Sequence, residues 1–325
     1  MSVFHFFSNT SWVLLLAGLA DHLIGDPKTW LHPTMVIGSL IDQGKIWSLA
    51  ITSKKQYRRL LGALLNLVIV IGSGLVGFWL VKLSELISPY LAIATSSVIL
   101  ASCFATKSLA DAAQEVLSKD SSLAQMRKSL AQYVGRDTID LTKDEIYRAL
   151  LETIAENTPD GVTGPLFYAL LGSLIPGVGP VPLALAYKAA STLDSMIGYK
   201  REPYTYIGWF SARLEDYLTW IPSRLTALTL ALISREPRRV LKICIRDAPQ
   251  DPSPNSGWSE AVYAAIVNVQ LGGSNNYQGV KKYKPLLGDP LESISPAKIE
   301  YSLKLMRSCF WLWLILGIVL VEFFR

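Results

Sequence analysis

Charge is scarce in this 325-residue sequence: Asp, Glu, Lys and Arg make up 18%, against 50% for hydrophobic types. Soluble domains carry roughly 25% charged residues, so the long apolar runs here need lipid rather than an ordinary core to cover them. Cysteine is scarcer still. Cys103, Cys244 and Cys309 are odd in number, far apart and form no C-x-x-C, which excludes a disulfide framework and a zinc site of the usual spacing. Histidine is limited to His5, His22 and His32, before the first clear apolar span. The Asp21-His22, Gly25-Asp26-Pro27 and His32-Pro33 stretch lacks regular ligand spacing and reads as interface anchoring and a turn. No G-x-x-x-x-G-K-[ST], H-E-x-x-H or G-x-S-x-G occurs, and no G-x-G-x-x-G sits between a strand and a helix. The common nucleotide, zinc-protease and hydrolase templates are therefore missing. The net charge of +5 does not signal nucleic acid, because the basic residues lie in loops beside apolar runs, where cytoplasmic flanks carry them.

What is present is a membrane pattern. Leu60 to Val81 has no charge and is long enough for the roughly 20 residues that cross about 30 Å of hydrocarbon. Cys309 to Phe324, flanked by Arg307 and Arg325, reads as a last span, Tyr90 to Ala105 as another and Trp12 to Ile24 as a first. No Lys or Arg precedes Lys28, so a cleaved signal peptide fits less well. Pro165 to Ala186 is apolar but broken by Pro176, Gly177, Gly179, Pro180 and Pro182, which predicts a re-entrant or helical hairpin. Leu225 to Ile233 extends a helix from around Trp209 that bends at Pro222. The expectation is an all-α integral membrane protein with about five membrane-embedded elements, residues 1–325 forming one polytopic domain with no linker. Lys45, Lys54, Lys55, Arg58 and Arg59 precede the Leu60 span, whereas only Lys82 and Glu85 follow it. The positive-inside rule then puts the first loop in the cytoplasm of a cell-membrane protein, with 107–164 and 187–308 mainly facing the same side and carrying the site.

Four polar stretches carry chemical potential. Thr142-Lys143-Asp144-Glu145 is a capping box that starts a helix to about Asn157, with Glu145, Glu152 and Glu156 on one stripe and Ile146, Leu150 and Ile154 on another. Two roles stay open for the acidic stripe: a solvated face with Arg148 as partner, or a metal or substrate site continued by Asn157 and Asp160 in the following turn. Next, Tyr187 to Gly198 places Asp194 on a largely apolar helix, where a carboxylate is costly unless Lys188, another cation or a metal pairs it. Arg213 and Asp216 fit an i,i+3 pair in the third. Together these acids suit magnesium, which binds oxygen ligands alongside substrate phosphates. In the fourth, Asp251 to Gly257 and Leu271 to Gly279 flank a helix expected over Trp258 to Gln270. Small residues there, Ser253, Asn255, Ser256, Gly257, Gly272 and Gly273, leave N–H groups suited to phosphate, with Arg224, Arg246 and Lys281 to Lys284 as cations.

The ordered motifs Gly25-Asp26-Pro27 with His32-Pro33, Glu156-Asn157-Thr158-Pro159-Asp160-Gly161, Thr192 to Lys200, Ile221 to Leu225, and Ser253 to Gly257 through Leu271-Gly272-Gly273 resemble the CbiB/CobD family of cobalamin biosynthesis, from about residue 15 to the C-terminus. The resemblance implies an integral-membrane adenosylcobinamide-phosphate synthase. It would use ATP and Mg2+ to join adenosylcobyric acid to (R)-1-amino-2-propanol or its O-phosphate, with other enzymes of cobalamin assembly as further partners. Carried over residue by residue, it implies Glu156, Asn157, Asp160 and Asp194 as catalytic. Glu152, Glu156, Asp160, Asp194 and Asp216 would face metal, and Lys200, Arg213, Arg224, Ser253, Asn255, Ser256, Gly257, Gly272 and Gly273 substrate or phosphate. Ser191, Glu215, Thr219 and Asp251 depart from the family pattern, where Asn, Asp, Asn and His are usual. The competing class is a sensory or regulatory membrane protein resembling AmpE. A transporter is disfavoured because no matched pair of interrupted segments appears in the two halves.

Overall fold

The computed structural model describes residues 8–25, 32–118 and 121–324. His5, Asp26, Pro27, Lys28 and Arg325 lie outside the described residues. The chain is mostly helical. Helices α1 (Asn9–Leu23), α2 (Pro33–Ile51), α3 (Lys55–Ile87), α4 (Pro89–Ala101), α5 (Thr106–Val116), α6 (Leu123–Leu130) and α7 (Lys143–Asn157) come first. They are followed by α8 (Gly164–Leu174), α9 (Pro180–Ile197), α10 (Tyr204–Ile207), α11 (Trp209–Ile233), α12 (Pro237–Asp247) and α13 (Ser256–Val267). A hairpin of β1 (Leu271–Tyr277) and β2 (Val280–Leu287) precedes α14 (Pro296–Phe323).

Contacts divide the chain into two compact units. The first comprises Met1–Ala105, Gly164–Thr219 and Trp311–Arg325, and the second Thr106–Thr163 and Trp220–Phe310. Each is assembled from segments remote in sequence, which is why no linker marks the division. Among the described residues three stretches are long and apolar enough to cross a membrane: α3, 89–116 and α14. The stretch 89–116 qualifies only when taken as one, for its backbone breaks at 102–105 between α4 and α5. The expected Trp12 to Ile24 span is the 15-residue α1, about 22 Å of rise, shorter than the hydrocarbon thickness.

In the first unit, α3 turns Gly62, Asn66, Ile69 and Gly77 inward, while Leu60, Leu64, Val68, Ile71 and Leu75 stay exposed on its outer faces. Small residues let its backbone approach α9 closely: a Cβ on Gly74 would stand 3.2 Å from the Pro182 carbonyl oxygen. Asn66, fully buried, donates to Gly62 O and Ser211 Oγ, each at 2.8 Å. The proline-rich run forms the expected helical hairpin, α8 and α9. Gly177 and Gly179 adopt φ of +80° and +82° in its turn, and Pro180 sits at N1 of α9, where its missing N–H costs nothing. Helix α11 continues through Pro222. That proline leaves Leu218 O without its helical donor, and the Tyr168 hydroxyl supplies one at 3.0 Å.

The second unit is built on capped helices, a packed core and a β-hairpin. The expected capping box is formed: Thr142 Oγ1 accepts from Glu145 N at 3.3 Å and Glu145 Oε2 from Thr142 N at 2.7 Å. Ile146, Leu150 and Ile154 face inward, and Leu151, Ala264, Val267, Val269 and Leu271 pack as one core cluster. Among the described residues the all-helical expectation has one exception, the β-hairpin. Gln278 and Gly279 both take positive φ, 52° and 76°, as a tight two-residue turn requires. The Asp137 carboxylate fixes this turn by accepting from Gln278 N at 3.0 Å and Gly279 N at 2.8 Å.

Candidate functional site

In the second unit the acidic stripe of α7 splits by depth. Glu152 is 1% exposed: Oε1 accepts from Gly272 N at 2.9 Å, and Oε2 binds the Arg136 guanidinium. Arg136 also donates to Asn275 Oδ1 at 2.8 Å, and Arg148 to Ser274 O at 3.1 Å. The expected partner Arg148 stands 3.9 Å from Glu152, farther than Arg136. This network clasps β1 onto α7. Both oxygens of Glu152 are occupied within the protein, so the candidate metal role in this unit passes to Glu156 and Asp160. Glu156 is exposed one turn later, and Asp160 is half-buried in a π-helical turn, Thr158–Thr163. Thr158 bonds Ile154 O at 2.7 Å and the Tyr263 hydroxyl at 3.0 Å, and Thr163 bonds Thr226 at 2.6 Å, which secures that turn. Asn157 Nδ2 donates back to Thr153 O at 2.9 Å.

Beside Glu156 lies a pair of which the sequence reading named only Lys284, among the cations near the glycine loop. Glu260 is fully buried on α13, and its Oε1 accepts from Lys284 Nζ at 2.7 Å while Oε2 has no hydrogen-bond partner. Burial pushes the Glu260 carboxyl up, Lys284 opposes this, and the charges of Glu156 and Glu152 reinforce it. Burial pulls Lys284 down, but Glu260, Glu156 and Asp251 outweigh it, so Lys284 is held charged. The signal for Glu260 was available: it is the lone acidic or basic residue in a helix of small, polar and apolar types.

The 251–257 loop is organised from within. Asp251 Oδ1 accepts from Ser253 N at 2.8 Å and Ser256 Oγ at 3.2 Å, and Ser253 Oγ accepts from Asn255 N at 3.3 Å and Ser256 N at 3.2 Å. Three N–H groups expected to face phosphate are thus already paired. Gly257 is needed for packing, because a Cβ there would collide with the Ala248 carbonyl oxygen. Gly272 is likewise required by the close approach of Pro285 O, and at φ +87° a Cβ on Gly273 would stand 3.2 Å from Arg148 Nη1. Asp251, one of the departures from the family pattern, therefore shapes the loop.

Arg224 is held by rings and backbone carbonyls. Its guanidinium lies 4.1 Å from the Trp220 ring centroid and 5.2 Å from that of Trp258, and it donates to Trp220 O at 3.0 Å and Pro254 O at 3.2 Å. Among the described residues no carboxylate forms an ion pair with it. A guanidinium lying against two indole rings beside a Ser/Asn loop is arranged to meet an anion.

The first unit holds Asp194, Lys200, Arg213 and Asp216. Asp194 folds over the end of α9: Gly198 N donates to its carbonyl at 2.7 Å, and a Cβ on Gly198 would collide with its Oδ1. Burial raises the Asp216 carboxyl, opposed by Arg213, 3.9 Å away, and by Lys200. Lys200 and Arg213 are exposed. Thr219 and Glu215, two further departures, are buried and hydrogen-bonded to each other, and the Tyr187 hydroxyl joins Thr219 at 2.8 Å. Among the described residues no three of His, Cys, Asp and Glu come together to hold a metal by protein ligands alone. Magnesium needs only one or two carboxylates when substrate phosphates complete its shell, so exposed Glu156 and half-buried Asp160 suit it chemically.

The chain matches the family model described as CobD/Cbib protein over residues 14–306. It is 55% identical to the cobalamin biosynthesis protein CobD of Synechocystis over 95% of this chain and 92% of that one. It is 38% identical to CobD of Halalkalibacterium halodurans and 39% to the cobalamin biosynthesis protein CbiB of Salmonella typhi, in each case over 90% of this chain and 91% of the relative. No solved structure matches it. The motifs, their helical setting and a match over nearly the whole length agree: the chain belongs to the CobD/CbiB family of cobalamin biosynthesis proteins.

Proposed function

We propose that the chain is the amide ligase of cobalamin assembly, joining adenosylcobyric acid to (R)-1-amino-2-propanol or its O-phosphate with ATP. The observation that carries this beyond the family is Arg224, a fixed guanidinium with no carboxylate partner among the described residues, aimed at the 253–257 loop. A corrinoid carboxylate oxygen attacks the γ-phosphorus of ATP and ADP leaves, giving an acyl phosphate. The amine nitrogen then attacks the acyl carbon, inorganic phosphate departs, and the nitrogen loses a proton to become the amide. Arg224 binds a phosphate of ATP or of the amine bidentately, with the Ser253 hydroxyl and Asn255 side chain beside it. Glu156 and Asp160 in the second unit, and separately Asp194 and Asp216 in the first, are the carboxylates proposed to face magnesium, which would neutralise charge on the transferring phosphoryl group. Lys284 offsets the charge of Glu156 and Asp251, which would otherwise repel a nucleotide.

The test is ligation by the purified chain with adenosylcobyric acid, ATP and magnesium, comparing the free amine with its phosphate in wild type and Arg224→Ala. A loss confined to the phosphorylated amine assigns that phosphate to Arg224, and an equal loss with both assigns ATP. No amide from wild type with either amine contradicts the proposal. The active face is proposed to be cytoplasmic, so Lys55→Cys and Lys281→Cys should both resist labelling from outside intact cells. Labelling of either from outside opposes that orientation.

A further inference from the structure

One end of α3 carries a concentration of positive charge that ligation does not use. Lys54, Lys55, Arg58 and Arg59 immediately precede the apolar run that begins at Leu60. A spanning helix meets the lipid headgroups where its charges give way to apolar residues, and α3, long and apolar enough to span, would bring these four cations to phosphate depth. A cavity of about 750 Å³ opens there, lined by Lys54, Lys55, Gln56, Arg59 and Tyr206. Its cations are held by rings: Lys55 Nζ lies 5.3 Å from the Tyr206 centroid, and the Arg59 guanidinium 5.6 Å from those of both Tyr206 and Trp209. Arg58 is turned aside to donate to Thr52 O at 2.9 Å. Among the described residues none of the four forms an ion pair, although the charge of Glu202 reaches Lys55. Below the cavity, Leu60, Leu64 and Val68 continue along α3 as exposed apolar side chains.

We propose that this cavity binds the phosphate headgroup of an anionic membrane lipid, with the acyl chains lying along the exposed leucine and valine face of α3. Unpaired cations, an aromatic wall that orients them and an adjoining apolar stripe are what a phospholipid requires, and a soluble phosphate has no use for the stripe. The site belongs to the first unit alone and is independent of the ligase proposal.

The full chain in nanodiscs or mild detergent is to be titrated with phosphatidylglycerol, phosphatidylcholine and soluble glycerol 3-phosphate. Bound lipid is read by native mass spectrometry and by thermal shift. Wild type should retain phosphatidylglycerol over phosphatidylcholine. Lys55→Gln with Arg59→Gln should weaken that retention about thirtyfold, from two cations near the membrane surface. Lys281→Gln with Lys282→Gln, exposed cations of the second unit, should leave it unchanged. Equal retention by wild type and the Lys55/Arg59 variant, equal loss in the Lys281/Lys282 control, or glycerol 3-phosphate binding as tightly as the lipid would each overturn the proposal.

Discussion

The same residue types are placed in opposite senses in the two units. In the first, α3 leaves Leu60, Val68 and Leu75 exposed and buries an asparagine at its centre; in the second, α7 buries Ile146, Leu150 and Ile154 and exposes Glu156. Outward apolar side chains are stable where lipid replaces water, whereas α7 turns its own inward, and the second unit holds buried ionisable groups in pairs such as Arg136 with Glu152 and Lys284 with Glu260. Exposure alone therefore says little about a leucine; the solvent facing it decides. The second unit, with its buried charge pairs, can organise charged chemistry, whereas α3 of the first carries no ionised side chain from Leu60 to Val81.

Removing one side of the clasp should give the largest effect. Arg136→Ala leaves Glu152 buried with only Gly272 N and the more distant Arg148, and should cost about 3 kcal/mol, the low end for breaking a buried pair. Denaturant unfolding of the purified protein measures it, and a change below about 1 kcal/mol would mean the clasp does not hold β1. The next prediction sets the two environments against each other. Val68 is 68% exposed in the first unit and Ile139 is 79% exposed in the second. Val68→Asp should cost about 2.5–3.5 kcal/mol of membrane insertion, while Ile139→Asp should stay within about 0.5 kcal/mol. Matching effects in a membrane-insertion assay would erase the distinction.

Turnover sharpens the comparison further. Asp160→Asn in the second unit and Asp194→Asn in the first should each lower kcat about a hundredfold or more, roughly 2.7 kcal/mol, with folding retained by circular dichroism. Near-normal activity of either at limiting magnesium would remove that carboxylate from the proposed ligands. The smallest effect is a pH dependence confined to the second unit. Burial pushes Asp247 up, but the Arg246 guanidinium and Gly288 N–H outweigh it and hold the carboxyl below its usual range. Its stabilisation is thus present above the ordinary carboxylate value near pH 4 and lost as pH falls through the depressed one. Arg246→Gln should shallow the fall in thermal midpoint between roughly pH 5 and pH 3, and an unchanged slope would remove the pair from the account.

Local signals read well from the sequence. The uncharged Leu60 run, the Thr142 capping box and the prolines of the α8–α9 hairpin each act within a few residues, and each appears as expected. Helix α2 was missed, although His32 caps it and Pro33 occupies N1, because its apolar pattern is interrupted by Asp42, Gln43 and Lys45. What depended on distant partners was hidden. Gly272-Gly273 looks like a phosphate loop until Glu152 and Pro285 are seen to take up its N–H and its space, and the Gln278-Gly279 turn is fixed by Asp137 far upstream. Glu156, Asp160 and Arg224 were legible as chemically suggestive, whereas the pairing of Glu260 with Lys284 spans a helix and a hairpin. The corrinoid was reachable only through the family resemblance.

The central claim is that the chain activates a corrinoid carboxyl by phosphorylation, and isotope transfer tests it most directly. Adenosylcobyric acid labelled with 18O in the reacting carboxylate, incubated with purified protein, ATP, magnesium and amine, should yield amide together with inorganic phosphate carrying one 18O per turnover. Amide formed with unlabelled phosphate, label appearing in AMP instead, or no amide at all would contradict it.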